Sequence, residues 1–181
     1  MRLFVALDLP AELKQRLAIL CGGLPGARWV PSENFHLTLR FMGEVHPIQA
    51  EEIDHTLAAI RAPAFDLSLA GVGVFGKGDA KGERAAALWA GVDRNPALDH
   101  LQTKIETALR RAGLEPERRR FAPHVTLARL DNVPEAKVAA YVQAHNLFRA
   151  APVRMEHFTL FSSVLGRDGS VYTPEVEYAL A

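Results

Sequence analysis

The chain has 181 residues, of which 49% are hydrophobic, and its 21 basic and 21 acidic residues cancel to a formal net charge of +0. This balance excludes the strong global field with which some proteins bind nucleic acid indiscriminately, so any contact with RNA must be local. The single cysteine, Cys21, excludes an intramolecular disulfide framework and a cysteine-based zinc site. It also predicts a reducing compartment, for which the cytoplasm is the default. No apolar run approaches the ~20 residues that cross a bilayer, so we expect no membrane segment.

Hydrophobic periodicity and turn residues predict an alternation of strands and helices along the whole chain. In chain order, we expect a strand over residues 2–9, a helix over 10–20, a short strand over 27–30, a motif strand from 36, a helix over 48–60, a strand over 65–75, a hairpin loop over 76–83, a strand over 86–92, a helix over 96–112, a second motif strand from 124, a helix over 134–144, a strand over 153–164, a turn over 166–169 and a strand over 171–180. This order predicts an α+β or α/β fold. Because no linker-like composition separates the halves, we expect residues 1–181 to form one compact domain with two lobes.

One short string occurs twice, once in each half of the chain. It reads HLTL at residues 36–39 and HVTL at residues 124–127. The alternation of polar and apolar residues is typical of a half-buried strand, in which side chains at i and i+2 share one face. The apolar residues of each copy are therefore expected in the core. The polar residues are expected to meet across one groove, and they are His36, Thr38, His124 and Thr126.

This set of side chains suits transfer at phosphorus. Two imidazoles with ordinary pKa values of about 6.5 can supply a general base and a general acid together near neutral pH. One of them would deprotonate an incoming water or hydroxyl, and the other would protonate the leaving oxygen. The threonine hydroxyls can donate hydrogen bonds to the non-bridging phosphate oxygens without adding a charge. This chemistry requires no metal.

The duplicated motif and its surroundings resemble the two-histidine (2H) phosphoesterase superfamily, which is defined by two His-x-Thr-x motifs. Within it, the chain is similar to the bacterial RNA 2′,3′-cyclic phosphodiesterases, which are also called 2′-5′ RNA ligase-like proteins. The matching stretches are RLFVALDLP, RWVPSENFHLTLRFMGEV, RFAPHVTLAR and LFSSVLGRDGSVYTPEVEYAL. The resemblance implies an α+β, bilobal fold, with two pseudo-symmetric lobes of antiparallel sheet, helices outside and a central groove. It implies neither a metal nor another cofactor.

The same resemblance implies a substrate and a role for each motif residue. The substrate would be RNA that ends in a 2′,3′-cyclic phosphate, hydrolysed to a 2′-phosphate, and the same groups would also serve reversible 2′-5′ RNA ligation. His36 would donate a proton to the departing ribose O3′, and His124 would accept a proton from water. Thr38 and Thr126 would hold the phosphate oxygens. The residues alone leave the choice of acid and base open, because the two copies are chemically equivalent.

Two arginines are further candidates for binding the phosphate. Arg129 stands where the family carries a phosphate-binding arginine, yet strict alternation from His124 puts Ala128 on the groove face instead. We therefore expect the strand to end or bulge near Arg129. Arg40 shares the outward face of its strand with His36 by alternation and is the second candidate.

Other readings of the sequence remain open beside this one. The same chemistry could act on a small cyclic nucleotide-type substrate, or the groove could bind RNA or nucleotides with little turnover. Neither an obligate protein partner nor a membrane is expected, and the protein is predicted to be a monomer. Four aromatic residues near the motifs could stack on a base, but aromatics at such positions are usually in the core, and we expect them there; they are Trp29, Phe41, Phe121 and Phe148.

Overall fold

The computed structural model describes residues 1–79 and 82–181 of the chain. Its strands are β1 (Arg2–Asp8), β2 (Arg28–Trp29), β3 (His36–Glu44), β4 (Phe65–Leu67), β5 (Leu69–Asp79), β6 (Gly82–Val92), β7 (His124–Arg129), β8 (Val153–Met155), β9 (His157–Gly166) and β10 (Gly169–Ala179). The α-helices in the described residues are α1 (Ala11–Ala18), α2 (Pro47–Ala58), α3 (Pro96–Arg111) and α4 (Glu135–His145). Since the strands pair antiparallel, the prediction of an α+β fold is confirmed.

The two motif strands are neighbours in the middle of the main sheet. This eight-stranded sheet has the order β10-β9-β1-β3-β7-β6-β5, and β2 also pairs with β7. The strands β3 and β7 meet through a single register pair, Leu37 opposite Val125. The sheet therefore consists of two four-stranded halves that join where the two motifs lie.

The hydrophobic core lies between one face of this sheet and the helices. The inward residues of the motif strands, such as Leu37 and Val125, are fully buried in it. The helix α3 shows why the sequence folds this way: the side chain of Asn95 accepts a hydrogen bond from the Leu98 N–H, and Pro96 occupies the first turn. The buried stripe of α3 consists of Leu98, Leu101, Ile105, Ala108 and Leu109. With the helices covering one face, the motif histidines and threonines are left on the other.

Each motif strand contains a β-bulge just after its threonine. In the pairing of β1 with β3, Ala6 is opposite Thr38 but Val5 is opposite Arg40, so one residue of β3 is skipped. The pairing of β6 with β7 shifts in the same way between Thr126 and Ala128. In both strands the two residues after the threonine are buried. The bulge thus resets the alternation by one residue in both copies of the motif.

Two long strands of the sequence prediction are each divided in two. The predicted strand over residues 65–75 becomes β4 and β5, and the predicted strand over 153–164 becomes β8 and β9. The short pieces β4 and β8 pair with each other in a separate two-stranded sheet, with Phe65 opposite Met155. The prediction of two continuous strands is therefore wrong, because each chain segment passes from one sheet to the other.

The predicted hairpin between β5 and β6 exists, but its strands are longer than expected. The backbone pairs from Gly76 opposite Ala85 to Asp79 opposite Gly82. The prediction of a loop over 76–83 is therefore wrong for the paired residues, while its centre at residues 80–81 lies outside the described ranges. Within those ranges, no helix has the length and apolar character needed to cross a membrane.

Candidate functional site

A groove of about 950 Å³ runs over the face of the sheet opposite the helices. All four polar residues of the duplicated motif line it, so the structure brings His36, Thr38, His124 and Thr126 together as predicted. The other lining residues are Arg2, Phe4, Arg28, Trp29, Val30, Pro31, Asn34, Phe41, Arg129, Ser163, Leu165, Asp168, Gly169, Ser170 and Tyr172. Three arginines and one aspartate among them make this part of the surface positive, which favours an anionic ligand.

The His36 ring is held on both nitrogens. Its Nδ1 lies 2.7 Å from the backbone oxygen of Asn34, and its Nε2 lies 2.9 Å from the Thr38 hydroxyl. Because a carbonyl oxygen can only accept, Nδ1 carries the proton and Nε2 is the nitrogen that gains or loses one. The rings of Phe4 and Tyr172 flank the imidazole at centroid distances of 5.0 and 5.3 Å.

The His124 ring has the same tautomer as the His36 ring but differs from it in the contacts of its Nε2. Its Nδ1 lies 2.7 Å from the backbone oxygen of Ala122, so it too donates to a carbonyl. Within the described ranges, its Nε2 has no hydrogen-bond partner. The ring of Phe75 meets the imidazole edge-on at a centroid distance of 4.7 Å. The two histidines therefore have the same tautomer, and each has its Nε2 available for proton transfer in the same groove.

Burial lowers the pKa of both imidazoles below their ordinary value of 6.5. For His36, the Asn34 carbonyl and the negative charge of Asp8 raise the pKa in part, whereas Lys14 and His124 lower it. For His124, the hydrogen bond to the Ala122 carbonyl raises the pKa and opposes the lowering by burial. The repulsion between the imidazoles means that protonation of one disfavours protonation of the other. The pair is therefore suited to hold one proton at a time.

The one register pair between β3 and β7 aligns each threonine with the histidine of the other motif. Extending the pair of Leu37 and Val125 by one residue in each direction sets His36 opposite Thr126 and Thr38 opposite His124. Residues opposite one another on adjacent strands have Cβ atoms about 4.5–5.5 Å apart. One small anionic group between the strands can thus contact both imidazoles and both hydroxyls.

The bulge in β7 places Arg129 on the groove, although strict alternation puts Ala128 there. Ala128 is buried, while Arg129 is exposed and lines the groove. Phe41 stands at the corresponding position after the bulge in β3 and lines the groove too. The two motifs therefore carry a cation on one strand and an aromatic ring on the other.

Arg40 does not reach the groove, and its predicted place beside His36 and Thr38 is wrong. The bulge in β3 turns Arg40 to the opposite side, where it is only 7% exposed. Its Nε donates to Glu106 on α3 at 2.8 Å, and its other nitrogens donate to the backbone oxygens of Phe41 and Glu115. Arg40 thus forms a buried ion pair that ties β3 to α3 and to the segment before β7.

Sequence reasoning missed several lining residues. Phe41 was expected in the core, yet it is 42% exposed with the Arg2 guanidinium 5.3 Å above its ring. Its sequence signal is its position, since Phe41 follows His36 by the same interval as Arg129 follows His124. Arg28 has no such signal, because only the pairing of β2 with β7 brings it to the groove.

Among the described residues, no group of three or more His, Cys, Asp or Glu side chains is arranged to hold a metal ion. The triple-arginine segment at residues 118–120 is exposed and does not line the groove. Arg119 pairs with Glu117 there.

Comparison with known proteins gives a consistent result. A model of the 2′-5′ RNA ligase superfamily matches residues 4–167. An RNA 2′,3′-cyclic phosphodiesterase of Aeropyrum pernix is 35% identical over 154 residues, which cover 83% of this chain and 84% of that protein. An RNA 2′,3′-cyclic phosphodiesterase of Geobacillus stearothermophilus is 34% identical over 182 residues, covering 96% of this chain. The chain spans only 54% of the length of that relative.

A solved structure supports the same similarity in three dimensions. The crystal structure of Escherichia coli LigT complexed with 3′-AMP superposes with a TM-score of 0.79 at 29% sequence identity. The match covers 99% of this chain and 97% of that one. The similarity therefore extends over the whole fold as well as the motifs.

Proposed function

Since the chain belongs to the 2′-5′ RNA ligase superfamily, we propose that it hydrolyses the terminal 2′,3′-cyclic phosphate of RNA to a 2′-phosphate. The observation that carries this proposal is the pair of like-oriented imidazoles. Each donates from Nδ1 to a backbone carbonyl and keeps Nε2 for chemistry in one groove. The relatives from A. pernix and G. stearothermophilus, which are named for this activity, support the substrate class.

His124 acts as the general base in this proposal. Its Nε2 has no partner in the described part of the chain, so it is free to take a proton from water. Burial lowers the pKa of His124, which keeps the imidazole neutral at neutral pH. A neutral imidazole is the form that a base requires.

His36 acts as the general acid. The Asp8 carboxylate is in register with His36 across β1 and β3, and its charge raises the pKa of His36 against the lowering by burial. A negatively charged phosphate beside the ring would raise that pKa further. Among the described residues no carboxylate contributes to the shift of the His124 pKa, and this asymmetry supports His36 as the proton donor.

The reaction balances with these two groups. Water attacks phosphorus as His124 Nε2 takes its proton, the bond between phosphorus and ribose O3′ breaks, and His36 Nε2 donates a proton to O3′. The product has a free 3′-hydroxyl and a 2′-phosphate. The hydroxyls of Thr38 and Thr126 and the guanidinium of Arg129 stabilise the charge on the non-bridging oxygens. The same step with a ribose 5′-hydroxyl in place of water as the nucleophile would form a 2′-5′ linkage.

The decisive experiment is hydrolysis of a short RNA that ends in a 2′,3′-cyclic phosphate, with EDTA present. We expect the wild-type protein to give the 2′-phosphate, and His36→Ala and His124→Ala each to lose about 10²–10⁴-fold in rate. His100→Ala is the matched control, because His100 is exposed on α3 and does not line the groove.

Each outcome of that experiment bears on a separate part of the proposal. A near-native rate in either histidine variant would contradict the two-imidazole mechanism. Loss of activity in EDTA would contradict hydrolysis without a metal. A wild-type protein inactive on RNA but active on a mononucleoside cyclic phosphate would move the assignment to a small substrate.

The quaternary state and the compartment of the protein remain part of the proposal. We expect a monomer, and size-exclusion chromatography with light scattering measures this directly. The single Cys21 favours a reducing compartment, consistent with action in the cytoplasm.

A further inference from the structure

Two arginines face each other at the end of the groove where β2 pairs with β7. Arg28 and Arg129 are direct partners in this pairing, and both line the groove. Like charges directly opposite on neighbouring strands are destabilising. One carboxylate, that of Asp131, forms an ion pair with Arg28. Within the described ranges, Arg129 has no carboxylate partner, so this end of the groove carries an unbalanced positive charge.

Arg28 lies away from the reacting phosphate. The strand β3 pairs with β7 at Val125, whereas β2 pairs with β7 further along, at Ala128 and Arg129. The guanidinium of Arg28 is directed to Asp131, which follows the end of β7, so it extends further from the histidines. The backbone of Arg28 is level with Arg129, and its side chain reaches on toward Asp131, two residues beyond Arg129. The arrangement therefore places one cation beside the reacting centre and a second cation one step beyond it.

A strand of RNA places its phosphates in such a series. We infer that Arg28 binds the phosphodiester on the 5′ side of the terminal nucleotide, while the cyclic phosphate occupies the site between the histidines. The planar guanidinium can donate two N–H groups to a phosphate, and its Nη2 now donates to the carboxylate of Asp131. Asp131 is then a competitor that the phosphate displaces. This inference rests on the proposed function and makes the substrate an oligonucleotide.

The test compares two substrates that differ by one phosphodiester. They are cytidine 2′,3′-cyclic phosphate and the dinucleotide CpC that ends in the same cyclic phosphate. We expect the wild-type protein to favour the dinucleotide by roughly tenfold in kcat/KM, the contribution of one exposed charge-assisted contact. The slope of log KM against the logarithm of the salt concentration should differ between the two substrates by about 0.7, the value for one phosphate contact on a single strand.

Three variants separate binding from structure. Arg28→Ala should abolish the preference for the dinucleotide, so that the two substrates have similar kcat/KM values in this variant. Asp131→Asn should strengthen the preference, because it removes the competing charge and frees the guanidinium. If Arg28 and Asp131 formed only a structural ion pair, Arg28→Ala and Asp131→Asn would instead change the preference for the dinucleotide in the same direction. Arg111→Ala is the control, since Arg111 is exposed at the end of α3 outside the groove.

Binding of two products, cytidine 2′-phosphate and CpC with a terminal 2′-phosphate, is measured by calorimetry in parallel. A wild-type protein that hydrolyses both substrates equally, or an Arg28→Ala variant that keeps the preference, would overturn the inference. So would a weaker preference in Asp131→Asn. If neither substrate is hydrolysed, the proposed function fails. In that case, the phosphate site is still supported if the wild-type protein binds the dinucleotide product more tightly than cytidine 2′-phosphate and Arg28→Ala loses this difference. The inference is overturned if there is no such difference.

Discussion

Replacing Arg40 by methionine removes one half of a buried ion pair, and we expect a loss of about 3 kcal/mol in the free energy of unfolding. Arg40 is 7% exposed and the side chain of its partner Glu106 is 13% exposed, so the remaining carboxylate would be left largely out of water. Breaking such a pair typically costs about 3–5 kcal/mol. The lower value applies because Glu106 keeps a hydrogen bond from the Glu117 N–H and an ion pair with Arg110.

The assay is thermal unfolding followed by circular dichroism at pH 7. A loss of this size in a chain of 181 residues corresponds to a Tm lower by about 6–12 °C. The steady-state KM for the cyclic phosphate substrate, measured well below the Tm, should stay near the wild-type value. An unchanged Tm together with a raised KM would refute the reasoning, because it would make Arg40 a phosphate ligand.

Arg129→Met is the matched control. Arg129 is exposed on the groove, so its replacement should change the Tm by no more than about 2 °C. Its kcat/KM should instead fall about tenfold or more, from loss of a charge-assisted contact to phosphate. Arg40→Met is thus expected to lower the stability without affecting substrate binding, and Arg129→Met to lower the activity without affecting the stability.

The Arg40 effect should also depend on pH. Burial raises the pKa of the Glu106 carboxyl, but the hydrogen bonds from Arg40 and the Glu117 N–H outweigh it, so the pKa lies below its ordinary value of 4.5. A depressed carboxyl pKa stabilises the fold above the unfolded pKa, and this contribution is lost as the pH falls through the folded pKa. The difference between wild type and Arg40→Met should be full at pH 7 and shrink below pH 4.5.

Two further sets of variants test the groove. The high-pH limb of kcat/KM should report loss of the His36 proton. Asp8→Asn should move that limb to lower pH, because the charge of Asp8 raises the pKa of His36. Lys14→Met should move it to higher pH, because Lys14 lowers that pKa. Shifts of both variants in the same direction would contradict the assignment of the limb to His36. Thr38→Ala and Thr126→Ala should each cost about 1–3 kcal/mol of transition-state stabilisation in kcat/KM, and an unchanged value for both would exclude their contact with phosphate.

The local pattern predicted the four motif residues of the site and failed on the arginines. A histidine and a threonine two residues apart share a face in any extended strand, so His36 and Thr38 needed no knowledge of neighbouring strands. Arg40 lies two residues further, beyond a bulge. A bulge is a mismatch between two strands, and the sequence of one strand does not contain the register of the other. Strict alternation therefore misplaced Arg40 and, without the expected bulge, would have misplaced Arg129.

The element predictions divide along the same line. The helix α3 follows from an Asn95 cap and an apolar stripe that are local, and its predicted bounds of 96–112 agree with Pro96–Arg111. The divisions at Ser68 and Glu156 were missed, because they depend on which partner strand each segment meets. An apolar, alternating segment looks the same whether it stays in one sheet or passes to another.

The sequence by itself determined the residues that we propose for the chemistry, two histidines and two threonines, together with their repetition and the family they indicate. Those features are short-range, and hydrophobic alternation is sufficient to orient them. Only the tertiary structure decided which cations reach the groove. It buried Arg40 against Glu106, and it set Arg28 opposite Arg129 by pairing β2 with β7. The position of a charged side chain depends on contacts between distant segments, which exist only once the chain has folded.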